Sequence, residues 1–391
     1  MLFLLAAVNF THILDLMIVM PLGDALMKEF SISPGQFSAI VSAYMVSAGI
    51  FGFIASASID RFGRKKALLT LYAGFILGTF LVALSTSYIQ IIVSRAITGA
   101  FGGLIGALVL SIASDMYKYK QRGKAIGLIT SSFSVASVVG VPLGLYIASK
   151  THWWAPFVVV AALAVVVWLI IFFTFPSLTD HVDERAEKKS PFRHLANTVG
   201  DVNQLRALSM GFFIVLGQFL IIPFIAPSMI RNVGFNQETV ALVYFFGGMA
   251  TMFSSPAVGR LTDRYSALRI FRFMMPISFV VVLVLTSLGE VPIWVALVVT
   301  TTLFISFNGR MVPAQTMATA SVSPEKRGGF MSLKTALQQL AAAAASLISG
   351  LIILETDDGK LENFAIIGIM SVCITGVSLF IAPKLKVASG N

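Results

Sequence analysis

Charge is what this 391-residue chain has least of: Asp, Glu, Lys and Arg together make up only 12% of it. A soluble domain carries about twice that fraction. With 57% hydrophobic residues and a mean hydropathy of +0.88, a solvated globular fold is excluded and a chain embedded in lipid is indicated. Cysteine is almost absent. Cys373 stands alone, which excludes an internal disulfide and leaves the redox compartment unmarked. No cluster of His, Cys and acids has metal-ligand spacing. Gly102-Gly103 and Gly328-Gly329 lack the Lys and Ser or Thr of a phosphate-binding loop. No metal or nucleotide cofactor is therefore expected, and ATP is not the direct energy source. An intramembrane enzyme would need a constellation such as paired acids, and Asp15 stands alone, which argues against one. No polar stretch is long enough for the output domain of a sensor.

What the chain does have is twelve apolar runs near the roughly 20 residues that a membrane span requires. They lie near 2–22, 37–59, 67–87, 89–112, 124–149 and 152–175, then 206–230, 238–259, 270–288, 291–315, 328–353 and 361–382. The first has no basic flank and no small-residue cleavage site, so it reads as a span and not as a removable signal. The formal charge of +10 would suit nucleic acid, but its distribution does not. Of the 28 Lys and Arg, only Lys28, Lys150, Arg231 and Lys360 fall on loops of one side. Arg95, Arg310 and Lys334 lie within spans, and the rest fall on the other side. That bias marks the richer side as cytoplasmic, with both termini there. The expected location is a bacterial-type inner membrane.

The chain also repeats itself. Asp60-Arg61-Phe62-Gly63-Arg64-Lys65-Lys66 closes the second span, and Gly259-Arg260-Leu261-Thr262-Asp263-Arg264-Tyr265 closes the eighth, with Asp60 and Asp263 separated by 203 positions. Gln121-Arg122-Gly123 and Lys326-Arg327-Gly328 echo each other at an offset of 205. Two landmarks with nearly one offset indicate a duplicated six-helix unit. The expected organisation is a six-helix half over 1–175, a cytoplasmic linker over 176–205, and a second six-helix half over 206–391. An all-α membrane protein of twelve spans, pseudo-symmetric about a central cavity, follows. Gly99 and Gly103, Gly102 and Gly106, and Gly140 and Gly144 have the spacing that lets membrane helices approach closely. Pro142, between the last two, permits a bend.

Gly63 is expected to allow a tight turn, and Arg61, Arg64, Lys65 and Lys66 to anchor at lipid headgroups. Ser56 through Lys66 resembles the loop 2–3 signature of the major facilitator superfamily, with Ser56 where the family usually has Gly. The second copy keeps Gly259 but lacks the later Gly-Arg-Lys run. Arg95-Ala96-Ile97-Thr98-Gly99 is similar to the family's fourth-helix motif. Gly140-Val141-Pro142-Leu143-Gly144 resembles its fifth-helix antiporter motif, as found in sugar-efflux and arabinose-efflux-like members. Asp15 through Pro21 resembles the first-helix motif of drug:H⁺ antiporters. The resemblance implies that Asp60 faces the start of the eleventh helix near Gly328, where a helix N-terminus favours an acid, and that Arg64 pairs with Asp115. These contacts, with Asp263 and Arg264 in the second copy, would gate the cytoplasmic side.

Asp15 is the one acid deep in a span. Counted from the span ends, it and Arg95 lie at similar depth, roughly 10 Å below the outer surface at 1.5 Å per residue. An uncompensated charge there costs several kcal/mol, so the two are expected to be partners or to share a polar cavity. A buried carboxyl is hard to ionise and a neighbouring Arg makes it easier, so opening the site to either side changes proton binding. The alternative is a static pair that only holds two helices together. His12 and Asn9, at successive i−3 steps from Asp15, are expected on the same face. His12 is a candidate proton relay or a packed histidine, and Tyr44 reaches the same layer. In the second half Gln218, Asn308, Arg310, Gln315, Gln338 and Gln339 are candidate cavity residues. Arg310 and Lys334 are candidates to receive an anionic or hydroxyl-rich substrate or to snorkel to the headgroups, with snorkelling the expectation for Lys334.

The function expected from these features is a secondary transporter, exporting small organic compounds in exchange for protons by alternating access. The compounds would be drug-like, sugar-like or amphipathic. The partners expected are a small-molecule substrate, protons and membrane lipids, without nucleic acid, and the chain is expected to act as a monomer. A uniporter, a lipid flippase and an organic-anion importer are the rival transport functions.

Overall fold

The computed structural model describes residues 1–55, 63–117, 119–176, 201–323 and 327–388. Their apolar runs form helices that extend past the lipid-compatible core, because polar residues cap them. Ser87 accepts from the Gln90 amide at the start of α5 (Tyr88–Met116). Asp201 accepts from Asn203 and Gln204 at the start of α9 (Val202–Phe219). Asn236 accepts from Thr239 at the start of α11 (Gln237–Tyr265). Each side-chain oxygen satisfies amides that a helix start leaves unbonded.

The first helix breaks near the end expected for the first span, and the chain goes on into a second short helix. α1 (Leu2–Ile18) is followed by α2 (Gly23–Glu29) at a bend of 59°. Pro21 between them has no amide hydrogen to continue the ladder. The second half repeats the device: α9 passes through a short 3₁₀ turn, Ile222–Phe224, containing Pro223, into α10 (Ile225–Arg231). Between these breaks run α3 (Pro34–Ala55), α4 (Arg64–Ala83), α5, α6 (Tyr119–Val135), α7 (Val141–Lys150) and α8 (Ala155–Thr174). α6 and α7 are joined by a π turn, Ala136–Gly140. One extra residue per turn there accommodates Pro142 just beyond it. After α11 come α12 (Ala267–Thr286), α13 (Ile293–Ala320), α14 (Arg327–Ile352) and α15 (Phe364–Ile381), with a small antiparallel hairpin, β1 (Leu354–Glu355) and β2 (Leu361–Glu362), between the last two. Among the described residues, 11 helices are long and apolar enough to cross a membrane, or 12 if α1 with α2 counts as one broken span. This is an all-α membrane protein, and its outer surface carries the side chains lipid would cover, such as Phe3, Phe173, Leu351 and Phe380.

Both described ends of the chain lie on one face, here the terminal face; the opposite one is the distal face. The C-terminal tail is tied there, with the Ala388 amide donating to the Ala320 carbonyl at 2.8 Å. The buried apolar residues fall into three clusters. One is shared by the two groups of helices, joining Leu22, Leu26 and Phe37 to Phe224, Met229, Ile353 and Phe364. The other two are private: Leu5, Leu68, Ile112 and Ile171 in the first group, and Leu208, Phe271, Ala318 and Phe330 in the second. The core is thus common on the distal side and forked toward the terminal face. α3 and α14 form the seam. Ser42 donates to the Ala343 carbonyl at 3.0 Å and Ser346 to the Ser38 carbonyl at 3.2 Å. Gly35 of α3 and Gly350 of α14 face each other, and a Cβ on Gly35 would lie 3.2 Å from the Gly350 carbonyl oxygen.

Candidate functional site

Asp15 and Arg95 meet. Arg95 Nη1 donates to Asp15 Oδ2 at 2.7 Å, and both side chains are sealed, at 0% and 1% exposure. Thr79 of α4 donates to the other carboxylate oxygen at 3.0 Å. The Tyr44 ring lies under the guanidinium, 4.5 Å from centroid to Cζ. Its hydroxyl shares a 3.0 Å hydrogen bond with His12 Nε2. Half-buried His12 is thus bonded to the hydroxyl of the tyrosine whose ring face, not its oxygen, contacts the Arg95–Asp15 pair. His12 Nδ1 and Arg95 Nε have no hydrogen-bond partner among the described residues. Glycines of α5 make the room: a Cβ on Gly99 would lie 2.2 Å from the Tyr44 carbonyl oxygen, and one on Gly102 2.6 Å from the Tyr44 hydroxyl. The small residues at this crossing seat Tyr44 against the backbone of α5.

Asn9 does not join this chain. Its amide donates to the Ile129 carbonyl of α6 at 3.0 Å. The reason is geometric. Each i+3 step falls short of a full turn by about 60°, so Asn9 and Asp15 point about 120° apart. Asn9, His12 and Asp15 fan out to α6, α3 and the α4–α5 pair, and do not share one face.

In the second half the sequence candidates also disperse. Asn308 bonds the Ser255 hydroxyl of α11. Gln218 is partly buried, and its Oε1 has no partner. Arg310 does not snorkel, and its Nε and Nη2 have no hydrogen-bond partner among the described residues. It is 1% exposed, donates to Ser278 of α12 at 3.0 Å, and lies over the Phe307 ring at 4.4 Å. The expectation for Lys334 is overturned: its side chain is 4% exposed and bonded to Gln315 of α13, not extended to the headgroups. Gln338, one turn on, packs with it against Gly211 of α9.

At the terminal face Arg64 Nε donates to Asp115 Oδ2 at 2.9 Å, linking α4 to the end of α5. Asp60 and Arg61 lie outside the described residues. Gly63 caps α4 with φ −54° and ψ 132°, a conformation any residue adopts, so the tight-turn expectation is not what places a glycine here. Asp263 and Arg264 are exposed, and Arg264 stacks on the neighbouring Tyr265 ring at 5.2 Å. Gly140, Pro142 and Gly144 lie along the π turn and α7 against α1. Cβ atoms on the two glycines would meet Leu14 at 2.8 Å and Ile18 at 2.0 Å, the residues that flank Asp15.

The sequence reading missed a second constellation, on the distal face. Arg231 of α10 pairs with Asp24 of α2 at 2.6 Å and with Glu355 of β1 at 2.8 Å, and Lys28 adds to Asp24 at 2.8 Å. Asn232 holds the hairpin, donating to the Leu361 carbonyl and accepting its amide, both at 2.8 Å. Lys150 and Glu238 bridge α7 to α11 at 2.7 Å on the same face. A signal for this latch existed. Asp24 and Arg231 are 207 positions apart, close to the repeat offset.

A model described as Major Facilitator Superfamily matches residues 5–346 and again residues 207–389. The chain is similar to the uncharacterized MFS-type transporter YbcL of Bacillus subtilis (strain 168), at 23% identity over 347 residues, 88% of this chain and 86% of the relative. It is similar to Multidrug resistance protein 1 of the same organism at 22% identity over 347 residues, 88% of this chain and 87% of that one. Among solved structures, it shares its fold with a bacterial homologue of the human lysosomal transporter Spinster in an inward-facing, occupied conformation. The TM-score is 0.77 at 16% identity, over 100% of this chain and 98% of the other.

Proposed function

This chain belongs to the Major Facilitator Superfamily, whose members are transporters and not enzymes, and from that premise we propose that it is a proton-coupled exporter of small organic compounds. It acts as a monomer in a bacterial-type inner membrane, with the terminal face in the cytoplasm, and uses no cofactor beyond the proton gradient. The observation that carries the reading is the sealed Asp15–Arg95 pair, joined through Tyr44 to half-buried His12. Ionised groups are rare at membrane depth and mark ion pathways there. A pair that only held α1 to α5 would not need a titratable neighbour hydrogen-bonded to the tyrosine that packs on it. The similarity to a protein named Multidrug resistance protein 1 supports export of drug-like or amphipathic cargo.

In this mechanism His12 meets the proton-accessible space first. Protonating His12 changes the hydrogen bond at the Tyr44 hydroxyl and adds positive charge near the guanidinium that neutralises Asp15. Protonating Asp15 frees Arg95 and loosens α1 from α4 and α5, and substrate binding favours the opposite state. A membrane potential of 100 mV supplies about 2.3 kcal/mol per charge, roughly a fifty-fold gradient for one proton per substrate molecule.

The test is uphill transport into proteoliposomes under an imposed pH gradient, with Asp15→Asn as the variant. Asn keeps the shape and removes the titration. Concentrative transport should be abolished while substrate exchange persists. Uphill transport that survives in Asp15→Asn would refute the assignment of the proton to Asp15. A wild-type protein that equilibrates substrate but never concentrates it would be a uniporter.

A further inference from the structure

The outer wall of the first half has a groove that its own side chains do not fill. It runs along the seam between α4 and α8, with a volume of about 520 Å³, and every residue that lines it is apolar. Small residues open it: Ala73 on α4, and Ala161 and Ala162 on α8, stand where larger side chains would close the seam. Trp168 crosses its terminal end, with Nε1 donating to the Leu69 carbonyl of α4 at 2.9 Å. That bond occupies the only polar group among the lining side chains, so the groove has nothing to offer a polar ligand. The matching seam of α12 and α15 is filled from within. Phe279, 203 positions after the groove residue Ile76, packs on Gly376, where a Cβ would lie 3.8 Å from its ring.

Depth sets what surrounds the groove. Phe80 and Val158, at its upper end, each lie about 5 Å below the distal ends of their helices, Ala83 and Ala155. From Val158 to Trp168 it extends about 15 Å at 1.5 Å per residue, the thickness of one leaflet of a roughly 30 Å hydrocarbon core. One turn above Val158 on the same face, Trp154 is 38% exposed and stands edge-to-face with His152, with ring centroids 5.2 Å apart. Tryptophans so placed mark the headgroup level. The groove therefore opens beneath the headgroups and spans the distal leaflet. Size then chooses between the apolar occupants that a membrane offers. A helix with its side chains is about 10 Å across, so 15 Å of one takes roughly 1,200 Å³, more than twice the groove. An extended hydrocarbon chain, about 4–5 Å wide by its contact distance, takes roughly 250 Å³ over that length, and two such chains roughly 500 Å³.

We propose that the groove is a binding site for one phospholipid of the distal leaflet, whose two acyl chains lie between α4 and α8 with their ends against Trp168 and whose headgroup sits at Trp154 and His152. Groove and bulk lipid are equally apolar, so no hydrophobic gain separates them. What holds the lipid is packing against fixed walls, contacts that an empty groove forfeits. The occupant also supports α4 from outside. On its inner side α4 carries Thr79, beside Phe80, to the Asp15 carboxylate at 3.0 Å. Gly78 lies against α5, where a Cβ would be 2.5 Å from the Thr98 hydroxyl. Chains packed behind Phe80 press α4 inward and keep both contacts made.

The experiment uses the purified full chain in detergent, with 1-palmitoyl-2-oleoylphosphatidylethanolamine as the probe. Native mass spectrometry should show one retained lipid per chain. Added lipid should raise the unfolding temperature by a few degrees, because a ligand of the folded state stabilises it by mass action. Ala162→Phe places a ring in the groove from an exposed position. Without lipid it should unfold at a higher temperature than wild type, and it should lose both the retained lipid and the response to added lipid. Val280→Phe adds the same ring to the exposed surface of α12 and should behave like wild type. Should Ala162→Phe fail to fold, Ala73→Leu fills the groove from α4 and is held to the same outcomes. The proposal falls if wild type retains no lipid, if the groove-filling variant retains it, or if Val280→Phe loses it as well. It falls too if wild type runs as a dimer that Ala162→Phe splits, because a second copy then covers the groove. These readouts are of binding and unfolding alone, so their failure leaves the proton-coupled export proposed above standing, and failure of the Asp15→Asn test leaves the lipid site standing.

Discussion

Replacing Asp24 by Asn should open the distal face. Asp24 and Arg231 are both 7% exposed at the side chain, and their 2.6 Å contact joins the two halves. Arg231 retains a second partner, Glu355, which is 40% exposed and belongs to its own half. The loss is therefore smaller than the 3–5 kcal/mol of a fully orphaned buried charge, and closer to the roughly 1.5–3 kcal/mol of one charge-assisted hydrogen bond. The latch must break when the distal face opens, so the loss falls on the closed state alone. A shift of about 1.5–3 kcal/mol changes the closed-to-open ratio roughly ten- to a hundred-fold. The measurement is a spin-label distance between cysteines at Glu29 and Asp358, both exposed on opposite sides of the latch. The one native cysteine, Cys373, is replaced by Ser. Asp24→Asn should move population to the longer distance, whereas Lys150→Ala, which breaks an exposed pair of the kind that contributes little, should leave it in place. Identical distributions for Asp24→Asn and wild type would refute the reasoning.

Two further outcomes follow from the packing and the terminal face. Gly99→Ala should lower the unfolding temperature sharply, because its Cβ would meet backbone of α3 at 2.2 Å, while Gly123→Ala, with nothing within 4 Å, should be neutral; thermal unfolding in detergent distinguishes them. Arg64→Ala, which removes the 2.9 Å contact to Asp115, should shift cross-linking yields at the terminal ends of α3 and α14 without preventing membrane insertion, and unchanged yields with unchanged transport would reduce the motif to a topology signal.

Depth along a membrane helix is legible in a sequence because the rise per residue is fixed. That is why Asp15 and Arg95, on different spans, could be expected at one level, where the structure places them 2.7 Å apart. Azimuth is less legible. Small errors accumulate at each i+3 step, so Asn9 ends on α6 while Asp15 faces α4 and α5. Side-chain direction is least legible for long flexible residues. Nothing along the sequence distinguishes a snorkelling Lys334 from a buried one, since the deciding neighbours, Gln315 and Gly211, arrive from other helices. The break at Pro21 is readable as punctuation that ends the first span, but not as a bend into α2. Its repetition at Pro223 shows that both halves bend their first helix to carry the latch residues Asp24 and Arg231 over the distal face.

The forked core has a thermal consequence. The apolar cluster that unites the halves lies on the distal side, so opening that side wets it, whereas parting the terminal side need not disturb the two private clusters. Wetting apolar surface raises heat capacity by about 0.45 cal/K/mol for each Å² exposed. The equilibrium between the two orientations is therefore curved in temperature, not a simple exponential. Apolar burial weakens on cooling, so a fall in temperature moves the carrier toward its distal-open form even at constant proton gradient. The same protein would then rest in different orientations in a cold and a warm cell.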